Sequence, residues 1–97
     1  MTQEQIEQGT KVIADYMGWH LASPSMVIGQ DRNGKMAMFY EIHNDWNKLH
    51  EVLENIVVSL DLASEDIRKD KIKVRFGNSN KMEAFKLMVD AIKILTK

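Results

Sequence analysis

The sequence predicts a single α+β domain, residues 1–97, in which helices pack on a small, largely antiparallel three-stranded sheet. The predicted order of elements is α-β-β-α-β-α. Apolar residues recur at helical spacing in three segments, whereas short β-prone runs lie between them and one pair of runs flanks an Asn-Gly dipeptide. A chain of 97 residues has room for one core, and helices packed on a small sheet bury the apolar faces of both kinds of element.

The first predicted element is a helix from Gln3 to Met17. Thr2 and Gln5 form a capping-box pattern, in which each side chain can bond a backbone N–H at the start of the helix. Gly18 stands where a left-handed glycine commonly ends a helix. The predicted buried stripe consists of Ile6, Gly9, Ile13, Tyr16 and Met17.

A β-hairpin is predicted after this helix. Residues 19–23 are expected to be a connector, because Pro24 interrupts regular structure before it. Residues 26–28 form a short β-prone run, and the Asn-Gly pair of residues 31–34 is favoured in tight hairpin turns. The hairpin therefore turns at residues 31–34.

The return strand of this hairpin is predicted at residues 35–42. Its residues alternate between two faces. One face carries Phe39 and the other carries Met36, Met38 and Tyr40, so either face could be the buried one. The sequence therefore does not determine which side of the strand faces the core, nor the register in which the two strands of the hairpin pair.

The longest predicted helix runs from Trp46 to about Leu62. Either Asn44 or Asp45 can accept a hydrogen bond as its N-cap. Its continuous apolar stripe consists of Trp46, Leu49, Val52, Leu53, Ile56, Val57 and Leu60.

A third strand is predicted at residues 71–77, after a charged connector at residues 64–70. Lysine and arginine alternate with apolar residues there, so one face would be basic and the other apolar. The basic face could attract a phosphate or an acidic partner, although lysines on a solvated strand also prevent edge-to-edge association. A final helix begins after Asn80, with Glu83 completing a capping pattern, and its apolar stripe consists of Phe85, Met88, Val89, Ile92 and Leu95.

Composition excludes several classes of function. The chain has no cysteine, which removes disulfides, zinc–thiolate sites and thiol nucleophiles. Its net charge of −1 argues against a dedicated nucleic-acid binder and against an anchor to anionic membranes. No apolar run approaches the roughly 20 residues of a membrane span, and the polar N-terminus does not have the pattern of a signal peptide. A cytoplasmic location is expected.

Histidine and carboxylate side chains are the candidates for chemistry. His43 and Glu41 share a face of the predicted strand, and His50 and Glu54 share a face of the following helix. A metal site needs three or more converging ligands, so neither a metal nor a cofactor is predicted. His43 with Glu41 or Asp45 could act in acid–base catalysis, but a helix N-cap explains Asp45 more simply.

Four residues, Trp19, Tyr40, His43 and Trp46, are the candidate binding residues. The two tryptophans lie at helix ends, where a large ring can close the margin of a core while its N–H reaches a polar partner. The alternative is an aromatic wall for a planar ligand or for a side chain of a partner, with Tyr40 and His43 beside the two indole rings.

Two short motifs carry a resemblance that covers most of the chain. Tyr16-Met17-Gly18-Trp19 closes the first helix, and His43-Asn44-Asp45-Trp46 ends an aromatic strand and opens the next helix. This order resembles the small proteins of phages and prophage-bearing bacteria that are grouped as the phage α-β-α sandwich domain. The chain departs from that pattern at Ile42, where an aromatic residue commonly precedes the histidine. The resemblance implies a fold and an origin but no activity.

The sequence thus predicts a small non-enzymatic accessory or interaction protein of phage or mobile-element origin that binds a host protein or a small ligand. The alternative is a small enzyme or nucleotide-handling domain that uses His43 with Glu41 or Asp45. A third hypothesis is a homodimer with a structural role, formed by a lightly covered sheet face.

Overall fold

A three-stranded antiparallel sheet and four helices make up the part of the chain that the computed structural model describes, residues 1–30 and 37–96. The order is α-β-β-β-α-α-α. The helices are α1 (Gln3–Met17), α2 (Trp46–Leu62), α3 (Asp66–Gly77) and α4 (Lys81–Leu95), and the strands are β1 (His20–Ser23), β2 (Met26–Gln30) and β3 (Ala37–Tyr40). The predicted α+β class and the three-stranded antiparallel sheet are confirmed, whereas the predicted order of elements is corrected at two places.

Helix α1 has the predicted bounds and both predicted caps. The Gln5 amide donates to Thr2 Oγ1 at 3.2 Å, and the Thr2 amide donates to Gln5 Oε1 at 2.9 Å. Gly18 adopts a left-handed conformation, with φ of 73°, and its amide donates to the Ala14 carbonyl. Local side-chain and backbone bonds therefore define both ends of α1.

Helices α2 and α4 also begin at predicted caps. Asp45 is the N-cap of α2, since its Oδ1 accepts from the Lys48 amide at 3.1 Å. Asn80 caps α4 in the same way, accepting from the Glu83 amide at 2.8 Å. A short 3₁₀ turn, Ile42–Asn44, leads from β3 into α2.

The first correction concerns residues 20–23, which form β1 and are not a connector. His20 pairs with Ile28 and Leu21 with Val27, so the backbone groups of this segment bond to β2. Pro24 lies in the tight turn between the two strands. Proline is favoured in such a turn because its φ is preset, and it therefore links two strands here.

The pairing of β2 with β3 settles which face of the return strand is buried. Val27 pairs with Tyr40 on the inner side, and Ile28 pairs with Phe39 on the outer side. Val27 is buried and Tyr40 is partly buried, whereas Phe39 is 61% exposed. Tyr40 thus faces the core and Phe39 does not, although Met38, two residues before Tyr40, is 44% exposed. The predicted turn at residues 31–34 and the first two residues of the predicted strand lie outside the described residues.

The second correction concerns residues 71–77, which belong to helix α3 and are not a strand. The alternation of charged and apolar residues does not reflect burial, because Phe76 is buried while Val74 is 63% exposed. Residues 66–70, which were predicted to belong to a connector, are the first part of the helix. Ion pairs three residues apart, Glu65–Arg68 at 2.9 Å and Asp66–Lys69 at 3.6 Å, favour the helical conformation there.

Helix α3 is held to α2 at its first turn. Lys69 Nζ donates to Asp61 Oδ1 at 2.6 Å, a bond between residues eight apart in the sequence. This hydrogen bond, aided by the charges of Asp61 and Asp66, raises the pKa of Lys69 above its ordinary value of 10.5, against a smaller opposing effect of desolvation.

The core lies where α4 meets α1, α2 and the 3₁₀ turn. Phe85 of α4 is its largest fully buried side chain. The fully buried residues around it include Ile13, Ile42, Leu49, Val52, Ile56, Met88 and Ile92. Over the described residues, no helix has the length and apolar character needed to cross a membrane.

Candidate functional site

The structure distributes the four predicted binding residues over three environments. Trp19 and Tyr40 come together, Trp46 packs in a separate aromatic cluster, and His43 packs against the core. A different combination of elements builds each environment.

The Lys48 side chain lies against the rings of Trp19 and Tyr40. Its ammonium group is 5.0 Å from the Trp19 ring centroid and 4.4 Å from that of Tyr40, and it pairs with Glu51 at 3.6 Å. The Tyr40 ring also covers Gly29, where an added Cβ would lie 2.8 Å from the ring. The two predicted rings do face a common group, but that group is a cation of the same chain. The cluster joins β2, β3 and α2 to the segment that follows α1.

Trp46 belongs to a cluster that joins the start of α2 to the end of α3. The Phe76 ring meets Trp46 edge-on at a centroid distance of 5.8 Å and His50 at 4.9 Å. His50 Nδ1 lies 2.8 Å from the Trp46 carbonyl oxygen, so that nitrogen carries the proton and donates it. These contacts agree with the interpretation of Trp46 as an anchor at the margin of the core.

His43 lies in the 3₁₀ turn and is only 7% exposed. Its ring meets Phe85 edge-on at 5.8 Å, and its Nε2 is 3.3 Å from Glu41 Oε2. Its Nδ1 is buried and has no hydrogen-bond partner among the described residues. Of the two carboxylates predicted to pair with His43, Glu41 is in contact with it, whereas Asp45 serves as the cap of α2.

A groove of about 530 Å³ lies between α2, α3 and α4. Its apolar lining consists of Ile56, Leu60, Ile72, Val74, Leu87, Ala91, Ile94 and Leu95. Sequence reasoning missed this groove because it placed residues 71–77 in the sheet. If residues 71–77 had been predicted to be helical, Ile72 would have been expected beside the apolar stripes of α2 and α4.

Charged residues of both signs border this groove, which we call the α2–α3–α4 groove. Arg68 is paired with Glu65 at 2.9 Å. Asp70, Lys71, Arg75 and Asp90 form no ion pair within the described part of the chain. The rim thus offers two uncommitted acids and two uncommitted bases around an apolar floor.

No three His, Cys, Asp or Glu residues cluster closely enough to hold a metal ion in residues 1–30 and 37–96. Neither a family model, a curated protein nor a solved structure matches this chain. The resemblance to phage proteins therefore stays a prediction.

Proposed function

We propose that this chain is a small non-enzymatic binding protein whose α2–α3–α4 groove holds a small, largely apolar ligand. The observation that carries the proposal is the groove itself, about 530 Å³ of concave space lined by apolar side chains of three helices. Ligand sites of proteins usually have volumes of roughly 300–1,000 Å³ and a mainly apolar lining with a few polar groups at the edge.

The exposure of the lining supports this proposal. Val74 and Ile94 both line the groove and are more than half exposed to solvent. Apolar surface left in water costs about 25 cal/mol for each Å², so a ligand that covers these side chains gains that free energy on binding. Contiguous apolar surface of this kind marks interaction sites in soluble proteins.

An apolar group of a host protein could enter the same groove, since the lining does not distinguish a free ligand from a protruding side chain. We include in the proposal an accessory role in a phage or mobile element. The resemblance of the two sequence motifs is the support for that role.

The alternative, an enzyme that uses His43, has one observation in its favour, the contact between His43 and Glu41. A general base must come within hydrogen-bonding distance of its substrate. The His43 ring is almost fully buried against Phe85, which leaves little of it for a substrate to contact. The groove is therefore the better-supported site.

Binding of the apolar dye 1-anilinonaphthalene-8-sulfonate tests the proposal. We expect saturable fluorescence enhancement and a melting temperature that rises with dye concentration, because a ligand that binds only the native state stabilises it. Ala91→Phe fills the groove from α4 and should weaken dye binding by about tenfold or more. Lys86→Phe adds the same ring to an exposed position of the same helix and should leave binding unchanged.

Near-UV circular dichroism of each variant confirms that the dye meets a folded protein, since partly folded states also bind such dyes. Ile94→Lys provides a second groove variant at an exposed position and should weaken binding as well. Equal dye binding by the wild type, Ala91→Phe and Ile94→Lys would show that the groove is not the site.

A further inference from the structure

The basic residues of this chain are concentrated in its C-terminal third. Residues 66–97 contain nine of the 13 lysines and arginines but four of the 14 aspartates and glutamates, so this segment has a net charge of +5. Residues 1–65, with four bases and ten acids, have a net charge of −6. The positive segment forms α3 and α4, two of the three helices that line the α2–α3–α4 groove. Such a separation of charge favours ligands of one sign at the positive part of the chain.

Two charged groove residues of α3 are neighbours of Ile72 on the surface of the helix, and both are arginines. Ile72 belongs to the apolar lining and is partly buried against the core. Arg68 lies four positions before it and Arg75 three positions after it, which are the spacings of neighbours on one helix face. Asp70 lies two positions before Ile72 and therefore projects in a different direction. The α3 side of the apolar floor is thus bordered by two arginine side chains.

Arg75 is the arginine of this pair that is available to a ligand. Arg68 is paired with Glu65 at 2.9 Å. Arg75 and the rim residue Lys71 are exposed and form no ion pair among the described residues. A guanidinium group can bind a carboxylate or a phosphate through two parallel N–H···O hydrogen bonds. The rim therefore places an anion-binding group beside an apolar floor.

The acid that α4 contributes to the groove, Asp90, has two lysines near it. Lys86 lies four positions before Asp90 and Lys93 three positions after it, so both are its neighbours on the surface of α4. All three residues are exposed. The two lysines offset the charge of Asp90, since charges separated by less than the screening length of the solvent act together. The α4 side of the groove therefore does not cancel the positive charge of the α3 side.

We propose that the α2–α3–α4 groove binds an amphipathic anion, with an apolar chain or ring on the floor of the groove and a carboxylate or phosphate group at Arg75. The inference rests on the proposed function and names the class of ligand. A neutral apolar ligand makes no use of Arg75, and a cationic one is repelled by Arg75 and Lys71. An amphipathic anion matches both the lining and the charge of the rim. The occupant is a free molecule small enough for a groove of about 530 Å³.

Two dyes with the same ring system separate the effect of charge from that of apolar contact. 1-Anilinonaphthalene-8-sulfonate carries an anionic sulfonate, and N-phenyl-1-naphthylamine is the same molecule without it. Arg75→Gln should weaken binding of the sulfonate dye by about three- to tenfold and leave binding of the neutral dye unchanged. Lys73→Gln removes a positive charge from an exposed position of α3 outside the lining and should change neither affinity.

Asp90→Asn makes the opposite change to the charge of the rim. Removal of this acid should strengthen binding of the sulfonate dye by about two- to fivefold, again with no effect on the neutral dye. A partly unfolded variant would bind both dyes better, so the neutral dye controls for folding in every variant. If Arg75→Gln or Asp90→Asn changes the two affinities equally, or changes neither, the groove does not select an anion.

Decanoate and decyltrimethylammonium extend the test to flexible amphiphiles with head groups of opposite charge. Below the concentrations at which they form micelles, we expect decanoate to displace the neutral dye and to raise the melting temperature of the protein. Decyltrimethylammonium at the same concentration should do neither. Equal displacement by the two amphiphiles would overturn the proposal.

The surface of an anionic membrane presents the same head groups as a free amphiphile. Flotation with phosphatidylglycerol vesicles distinguishes the two sources, and we expect the protein to remain unbound, because the chains of bilayer lipids are not available to the floor of the groove. Flotation with the vesicles that Arg75→Gln abolishes would assign the basic rim to a membrane surface and would overturn the proposal of a free ligand.

Failure of the proposed function gives a different result from failure of this inference. If neither dye binds, or if Ala91→Phe leaves both affinities unchanged, the groove is not a binding site and both proposals fail. If Ala91→Phe weakens both dyes while Arg75→Gln weakens neither, the groove binds apolar ligands without regard to charge, and only the assignment of an anion fails.

Discussion

At the scale of single residues, Gly9 controls how closely α1 approaches α4. A Cβ at Gly9 would lie 2.8 Å from two ring atoms of Phe85 and 3.0 Å from Val89 Cγ2. Phe85 is fully buried, and a closely packed protein interior resists displacement of so large a ring. Gly77 at the end of α3 is the opposite case, because a Cβ added there would meet nothing within 4 Å and its φ is not left-handed.

Gly9→Ala should therefore destabilise the protein. Alanine ordinarily favours a helix over glycine by about 1 kcal/mol, but overpacking a core typically costs roughly 1–3 kcal/mol, so we expect a net loss. Gly77→Ala provides the matched control and should stabilise the protein by up to about 1 kcal/mol. Urea denaturation gives both values. A gain for both variants would contradict the close packing of α1 on α4.

At the scale of secondary-structure elements, α3 is the least embedded helix. One of its residues, Phe76, is buried, and Ile72 is partly buried against the core. Ion pairs and the Trp46–His50–Phe76 cluster provide further attachments. The bond between Lys69 and Asp61 ties its first turn to the end of α2. Because the folded state binds the Lys69 proton more tightly, this pair contributes stability that is full below pH 10.5 and is lost as the pH rises through the raised pKa.

An NMR titration of the Lys69 side chain tests this attachment. We expect its pKa to lie above 10.5 in the wild type and to fall towards that value in Asp61→Asn. Asp66→Asn should have a smaller effect, since Asp66 lies 3.6 Å from Lys69 whereas Asp61 lies at 2.6 Å. If the pKa of Lys69 does not lie above 10.5, or if Asp61→Asn leaves it unchanged, the two helices are not joined in this way.

At the scale of the whole molecule, the sheet is covered on one side. Tyr40 and Val27 face the helices, whereas Ile28 and Phe39 are paired neighbours on the outer face and are exposed. Antiparallel sheets commonly have one packed face and one face in water, but the outer face is then usually polar. Successive residues of β3 therefore make very different contributions to stability.

Phe39→Thr should change the free energy of unfolding by less than about 0.5 kcal/mol, because exposed side chains contribute little. Tyr40→Thr should cost about 2 kcal/mol or more, since it removes the ring that covers Gly29 and contacts Lys48. Both variants place the same β-branched residue in β3, so strand propensity is matched. Equal losses in chemical denaturation would mean that the outer face of the sheet is also packed.

The class of fold and the caps of three helices could be predicted from the order of residues alone. Thr2, Gly18, Asp45 and Asn80 act through bonds to backbone groups within a few residues, so their roles are present in the local sequence. The apolar stripes of α1, α2 and α4 were predictable for the same reason, because helical spacing depends on neighbouring residues alone.

Contacts between distant parts of the chain decide that residues 20–23 form a strand and that residues 66–77 form a helix. They also decide which of the predicted binding residues come together. A strand is defined by its hydrogen bonds to another strand. The sequence around Pro24 does not show that residues 20–23 pair with β2. The alternation of apolar and charged residues in α3 is also the pattern of a strand. Which of these apolar residues are buried depends on distant elements, and the sequence alone does not show it. For the same reason, only the folded chain shows that Lys48 contacts both Trp19 and Tyr40, and that three helices leave a groove between them.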